Sequence, residues 1–337
     1  MPKPFKTVDL FAGPGGLAEG FSSLRDADGN RVFEIALSVE KEPSAFATLR
    51  LRSFVRHFDR PPPAYYQYIG GRISRAQLID SHPDEWAAAV KETKMLELGT
   101  EAAAAELDPI LDEIREEADG EAVLIGGPPC QAYSLVGRAR NRGIKGYDPA
   151  EDHRHFLYRE YIRIIERLRP AAFVMENVKG MLSARVDGEI IFERVLNDLR
   201  SAAGEDSYRL VPLVVSAKGR HGGYIVRSED YGIPQCRHRV ILVGIRSDRY
   251  FEKDGGTLSG HSLEPFAFHA TVASVLAGMP ALRSGLSQSS DDDEAWQVAA
   301  ARAFRSAASA CENEGKWLNA IADKLSAVST CGPDLRL

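Results

Sequence analysis

Short apolar runs alternate with stretches in which apolar residues recur every three or four positions, from the amino terminus to about residue 246. The runs at 7–11, 33–40, 64–69, 122–127, 171–177, 208–216 and 239–245 have strand length, and 15–24, 42–57, 153–168 and 189–202 carry helical spacing between them. Pro43 suits the first turn of the second helix, where its missing N–H deprives no carbonyl of a partner. Strands alternating with helices predict an α/β fold: a mostly parallel sheet with helices on both faces. Residues 74–120 interrupt the alternation with acidic, helix-forming sequence such as Glu101-Ala-Ala-Ala-Ala-Glu-Leu and Leu111-Asp-Glu-Ile-Arg-Glu-Glu, and read as a helical insertion. No internal repeat is present.

Two glycine-rich segments follow predicted strands. Gly126-Gly127-Pro128-Pro129-Cys130-Gln131-Ala132-Tyr133-Ser134 comes after Ala122-Val-Leu-Ile, so a thiol is presented where a buried strand ends, the place at which α/β sheets keep their ligands. Two glycines and two prolines fix the backbone before Cys130 and favour a nucleophile over a buried structural cysteine. Gly13-Pro14-Gly15-Gly16-Leu17-Ala18 fits G-x-G-x-x-A between a strand and a helix, with Glu40 ending the next strand. Alone, that block suits NAD or any other adenosine, because a glycine turn admits a ligand close to the backbone and a carboxylate can accept both ribose hydroxyls. Beyond Cys130, the Gly-punctuated stretch 137–146 carries Arg138, Arg140, Arg142 and Lys145. It reads as a basic loop able to hold phosphates, against the alternative of a merely solvated one.

In order and rough spacing, these blocks resemble the cytosine-C5 methyltransferases. Asp9-Leu-Phe-Ala-Gly-Pro-Gly-Gly-Leu17 is similar to the family's first motif, Pro128-Pro129-Cys130-Gln131 to its fourth, Glu176-Asn177-Val178 to its sixth and Gln235-Cys-Arg237-His-Arg239 to its eighth. The resemblance implies a Rossmann-like, S-adenosylmethionine-dependent methyltransferase fold without a metal. It places Phe11 against the adenine and the backbone from Gly13 through Pro14, Gly15 and Gly16 around the methionine part. Glu40 then holds the ribose, and Leu17, Pro128 and Leu157 complete the pocket. Two positions depart from the pattern. The aromatic that often follows the ribose acid is Lys41, and the acid expected after the third strand is replaced within Gly70-Gly71-Arg72-Ile73, leaving Ile73 as the contact.

The chemistry implied accounts for the other blocks. C5 of cytosine is a poor nucleophile until a thiolate adds at C6, which turns the C5–C6 bond into an enamine able to take a methyl group. Cys130 is the expected thiolate. Glu176, at the end of the apolar Ala171-Ala-Phe-Val-Met, is expected at N3, where a carboxyl in a desolvated site can share a proton; a structural ion pair is the alternative. Arg237 and Arg239 would hold the base's O2 and a phosphate in an order left open, unless they are plain surface arginines. Gln131, Ser134, Arg138, Arg140, Arg142 and Gln235 are the expected DNA contacts. The target atoms lie inside the stack, so the nucleotide must be flipped out, at a cost of a few kcal/mol.

Composition adds bounds. The chain has 337 residues and a formal net charge of −6, a weak argument against nucleic-acid binding that local charge outweighs. No apolar stretch approaches the ~20 residues of a membrane span, and the amino terminus leads straight into a strand, so a cytoplasmic location is expected. Four cysteines without CxxC spacing indicate neither zinc nor a disulfide framework. The expected division is a catalytic domain over 1–262, with its insertion at 74–120, and a link with an incomplete target-recognition region over 263–337. The family's ninth and tenth motifs are missing, which calls for a longer polypeptide or a second chain. Duplex DNA is the expected substrate, in the manner of restriction–modification. A tRNA substrate, a non-catalytic methyltransferase-like subunit and, more distantly, an NAD-dependent dehydrogenase are the alternatives.

Overall fold

The computed structural model describes residues 3–129, 157–183, 185–186, 189–214, 222–250, 263–268, 270–279, 285–286 and 290–311. The chain divides into two units, Met1–Ala270 and Thr271–Leu337. In the first, β1 (Phe5–Leu10), β2 (Phe33–Glu40), β3 (Thr93–Met95), β4 (Val123–Gly126) and β5 (Ala172–Val178) run parallel in the order β3-β2-β1-β4-β5. A small ribbon, β6 (Arg185–Val186) with β7 (Glu189–Ile190), follows outside the sheet. The sheet then continues through β8 (Tyr208–Val211), β9 (Ile225–Arg227) and β10 (His238–Arg246). β10 lies antiparallel between β5 and β8, and β9 pairs beside it. The order reverses at β1, with β2 on one side and β4 on the other, and that reversal opens a crevice at the carboxyl ends of β1 and β4.

Among the described residues, the first unit has eight α-helices: α1 (Gly16–Ser23), α2 (Pro43–Arg56), α3 (Pro63–Ile69), α4 (Arg75–Ser81), α5 (Pro83–Glu92), α6 (Glu101–Glu117), α7 (Leu157–Leu168) and α8 (Ile191–Arg200). The main core joins β1, β2, β4, β5 and β10 to α6, α7 and α8. Tyr161, Ile164, Ile165 and Leu168 of α7 supply one buried stripe at helical spacing, against Leu124, Phe173 and Met175. Under α1, α2 and α5 the buried layer is unusually polar, with Thr7, Asp9, Ser38 and Thr93 fully buried. Arg56 organises it, bonding Glu92 of α5 at 2.5 Å and also Glu19 of α1. Asp9 sits beside them without a well-formed hydrogen bond to either carboxyl oxygen, and burial pushes its carboxyl up to about 8 against the opposing pull of Arg56.

Two expectations are corrected. Residues 64–69 form a helix, α3, and not the third strand. Pro63 at its first turn presets helical φ, and Ala64 and Tyr68, one helical turn apart, pack on a satellite cluster of Phe54, Leu78, Trp86 and Ala89. The strand preference of three tyrosines yields to that packing. The third strand is β3, inside the segment read as a helical insertion. Residues 74–120 therefore continue the alternation, since α6 is the crossover from β3 to β4; the added part is α3, α4 and α5 with their own small core. Elsewhere the helix expected at 189–202 begins only at Ile191, and the strand expected at 208–216 ends at Val211, with 215–216 outside the described residues.

The second unit contains α9 (Val272–Leu276), capped reciprocally by Thr271 and Ser274, and α10 (Asp293–Cys311). Among the described residues, no helix is long and apolar enough to cross a membrane.

Candidate active site

Where β1 leaves the sheet, Phe11 adopts φ 54, a left-handed conformation rare for an aromatic residue. Its ring packs against the main core and also borders a cavity. Gly15 follows with φ 90, and a Cβ there would sit 2.9 Å from Leu49 Cδ1, so conformation and space both demand glycine. The turn is pinned by Glu40. Its Oε2 accepts the Gly13 N–H at 2.8 Å, and its Oε1 accepts the N–H groups of Lys41 and Glu42 at 2.9 and 2.7 Å. Three hydrogen bonds to one carboxylate fix the glycine turn to the end of β2. Pro14 and Gly16 are exposed on this turn and Leu17 is half-buried.

The cavity, of about 240 Å³, has apolar walls from Phe11, Val39, Leu96, Leu98 and Leu157, a floor at Gly127 and Pro129, and a charged rim of Glu40, Lys41 and Glu97. Lys41 Nζ meets Glu97 Oε1 at 2.9 Å. Glu97 follows β3 by two residues and occupies the place that the sequence reading assigned to the stretch ending in Ile73. Ile73 instead packs on the satellite cluster under α3–α5. The displacement follows from the misplaced third strand. Once β3 is put at Thr93–Met95, an acid does stand after it.

On the other side of the crevice, β4 ends in a glycine pair. A Cβ on Gly126 would lie 2.6 Å from the Leu10 carbonyl and 3.1 Å from the Tyr161 ring, so only glycine lets β4 pass there. Gly127 faces Glu176, whose Oε2 would lie 3.3 Å from a Cβ at that position. Pro128 is buried, and its carbonyl accepts the Asn177 side-chain amide at 3.0 Å while Asn177 Oδ1 accepts the Val178 N–H at 2.8 Å. Asn177 thus ties the end of β5 to the segment that leads toward Cys130. Cys130 lies outside the described residues, as do Gln131, Ser134, Arg138, Arg140 and Arg142.

Glu176 points from β5 toward Arg239 on β10 and Arg237 just before that strand. Arg239 Nε lies 2.7 Å from Glu176 Oε1, and Arg237 donates to the same oxygen at 3.3 Å. The closer contact pairs the charges without aligning the N–H, for Arg239 Nε has no hydrogen bond of good geometry; its Nη1 donates instead to the His238 carbonyl at 2.8 Å. The antiparallel register sets Arg239 across from Val178, diagonal to Glu176 on the same face. Arg239 is the more buried of the two, with a quarter of its side chain exposed against half for Arg237. Gln235 is exposed in the coil before β10. One carboxylate, two guanidinium groups and the Pro128–Pro129 segment thus converge at the ends of β4 and β5, beside an apolar cavity with an acidic rim. The sequence reading missed two members of this arrangement, Glu97 and the tie made by Asn177. Glu97 was concealed by the shortness of β3, whereas Asn177 stood in the quoted motif without an assigned role.

A family model, C-5 cytosine-specific DNA methylase, matches residues 84–277. Type II methyltransferase M.Bpa9945I of Bacillus paralicheniformis is 31% identical over 265 residues, a match spanning 73% of this chain and 54% of that protein. Type II methyltransferase M.AquIA of Picosynechococcus sp. is 29% identical over 249 residues, spanning 73% of this chain and 74% of that protein. Among solved structures, an E. coli prophage protein assigned as a DNA modification methyltransferase superposes with a TM-score of 0.50 at 18% identity, over 85% of this chain and 58% of that one; it bears on the fold alone. This chain spans about half the length of its Bacillus relative. The match to the family model runs from α5 through β3, β4, β5 and β10, the strands that bring Glu97, Glu176, Arg237 and Arg239 to the crevice, and this chain belongs to the C-5 cytosine-specific DNA methylases.

Proposed function

We propose that this chain methylates C5 of cytosine in duplex DNA, using S-adenosylmethionine, as part of a bacterial restriction–modification system acting in the cytoplasm. The observation that carries the reading is the convergence of Glu176, Arg237 and Arg239 on the ends of β4 and β5, where Asn177 anchors the Pro128 carbonyl two residues before Cys130. The cavity fits the cofactor's nucleoside. Its apolar walls suit a purine, and Glu40, fixed on the glycine turn, stands at its rim. Bound there, the cofactor supplies an activated methyl group on a sulfonium.

This chain's residues do the rest. The Cys130 thiolate adds to C6 of the base, and a proton held between the Glu176 carboxyl and N3 stabilises the negative charge that the addition sends into the ring. Arg239, the more buried guanidinium, holds Glu176 in place and faces O2, while the exposed Arg237 reaches a phosphate. After methylation a water molecule takes the C5 proton, the electrons of that C–H bond re-form the C5–C6 double bond, and the C6–S pair leaves on sulfur, which frees the Cys130 thiolate. Gln131, Ser134, Arg138, Arg140, Arg142 and Gln235 contact the DNA around the flipped base. Further polypeptide, continuous or in a second chain, supplies the ninth and tenth motifs; the 54% coverage of the Bacillus relative leaves room for it.

Trapping on DNA that carries 5-fluorocytosine tests the reading, because fluorine at C5 cannot leave as a proton and the Cys130 adduct persists. Gel-stable adduct is expected from the native protein and none from Cys130→Ala. Methylation by the alanine variant would overturn the assignment of the nucleophile.

A further inference from the structure

Of the acids bordering the cavity, Glu40 already accepts three backbone N–H groups, so Glu97 is the carboxylate placed to receive a donor from a base. The Lys41 ammonium lies on it at 2.9 Å. Both residues are anchored around Glu40: the Lys41 N–H bonds its side chain at 2.9 Å and the Leu96 N–H bonds its carbonyl at 3.2 Å, immediately before Glu97. The two side chains therefore meet across the cavity rim from fixed stems, one after β2 and one after β3.

We infer that Lys41 sets the strength and the salt dependence of nucleoside binding, by competing with the exocyclic amino group of the base for the carboxylate of Glu97. This rests on the cofactor reading of the cavity. An entering adenine brings an N–H donor to an acceptor that a cation already holds, so part of each new hydrogen bond is spent on loosening an existing pair. The pair is more than half exposed on both sides, so it is worth little in water, and the effect is a modest multiple of affinity. Salt weakens such a pair and so weakens the competition.

Calorimetric titration of S-adenosylhomocysteine into the 337-residue chain tests this with Lys41→Met, Lys41→Gln, Glu97→Gln and the Lys41→Met/Glu97→Gln double variant, each at low and high salt. Both Lys41 variants should bind about two- to fivefold more tightly than the native chain at low salt, the range set by an exposed ion pair, and the gain should close at high salt. With Glu97 already replaced, Lys41→Met should bring no gain. Equal affinity of the native and Lys41→Met chains at low salt, or the same gain in the Glu97→Gln background, overturns the inference and leaves the cavity as a cofactor site. Absence of binding in every variant overturns the cofactor reading together with it.

Discussion

Glu40, Asn177 and Asp9 each hold more of the site together than their positions in the sequence disclose. Replacing Glu40 with alanine frees the amides of Gly13, Lys41 and Glu42 and, on the proposed cofactor reading, removes a nucleoside contact as well. Its effect on S-adenosylhomocysteine affinity should therefore be at least the ~1.5–3 kcal/mol of one hydrogen bond to a charged group, as calorimetry will read. Asn177→Leu leaves the buried Pro128 carbonyl without its partner and should cost about 1–3 kcal/mol of stability in urea unfolding. It should also lower kcat for methyl transfer with little change in cofactor affinity, because the bond lies on the Cys130 side of the crevice. For Asp9 the sign is set by linkage. The unfolded carboxyl ionises near 3.8, whereas burial keeps it protonated in the fold up to about 8, so between these values the folded state holds the extra proton. Stability must fall as pH rises through this window and then level off. Asp9→Asn should remove that slope, with a melting temperature that overtakes the native one increasingly toward about pH 9 and loses the advantage below about pH 4. A pH-independent difference would show that Asp9 does not titrate in the fold.

Two elements depart from an even alternation, and each has a packing cause. α3, α4 and α5 bury their own cluster around Phe54, Leu78 and Trp86, apart from the main core. Trp86→Ala opens a cavity in that cluster and should cost about 3–5 kcal/mol, read in thermal or urea unfolding. S-adenosylhomocysteine affinity well below the lowered melting temperature should stay unchanged, because the cavity residues lie at the ends of β1, β2, β3 and β4 and at the start of α7 rather than on these helices. Loss of affinity in parallel with stability would instead make α5, through the bond from Glu92 to Arg56 and on to Glu19 of α1, a support of the glycine turn. β10, the antiparallel strand, is the other departure. It lies against β5 along seven residue pairs from Arg239 to Ile245, which is how two arginines distant in sequence reach Glu176.

Substrate choice belongs to the chain in its full context. Cytosine-C5 transfer to duplex DNA and to tRNA would use the same Glu176 and Arg239 geometry, so the crevice does not separate them. Membership of the DNA methylase family leads to the expectation that tritium from labelled S-adenosylmethionine appears in duplex DNA and little in tRNA. Preference for tRNA would reverse the proposal while leaving the cysteine chemistry intact. Polypeptide carrying the ninth and tenth motifs, fused or added separately, should raise kcat/KM for DNA, because a flipped base needs contacts that offset its unstacking.

Local sequence was enough for the glycine turn, the Gly-Gly-Pro-Pro segment that ends β4, the Glu-Asn-Val strand end and most of the described strands and helices. Each is written in neighbouring residues: an apolar run of strand length, a turn that only glycine can make, a proline at a first helical turn. Phe11, Glu40 and Leu157 indeed meet at one cavity, and Arg237 and Arg239 meet at Glu176. Three things came only with the folded chain. The state of residues 64–69 depended on a satellite core whose members lie up to twenty-odd residues away. The third strand, three residues long and set directly after a helix, is made a strand by pairing with β2 and by nothing in its own composition. Glu97 and its bond to Lys41 follow from that pairing, since two residues 56 apart in sequence become neighbours only when the sheet sets β3 beside β2.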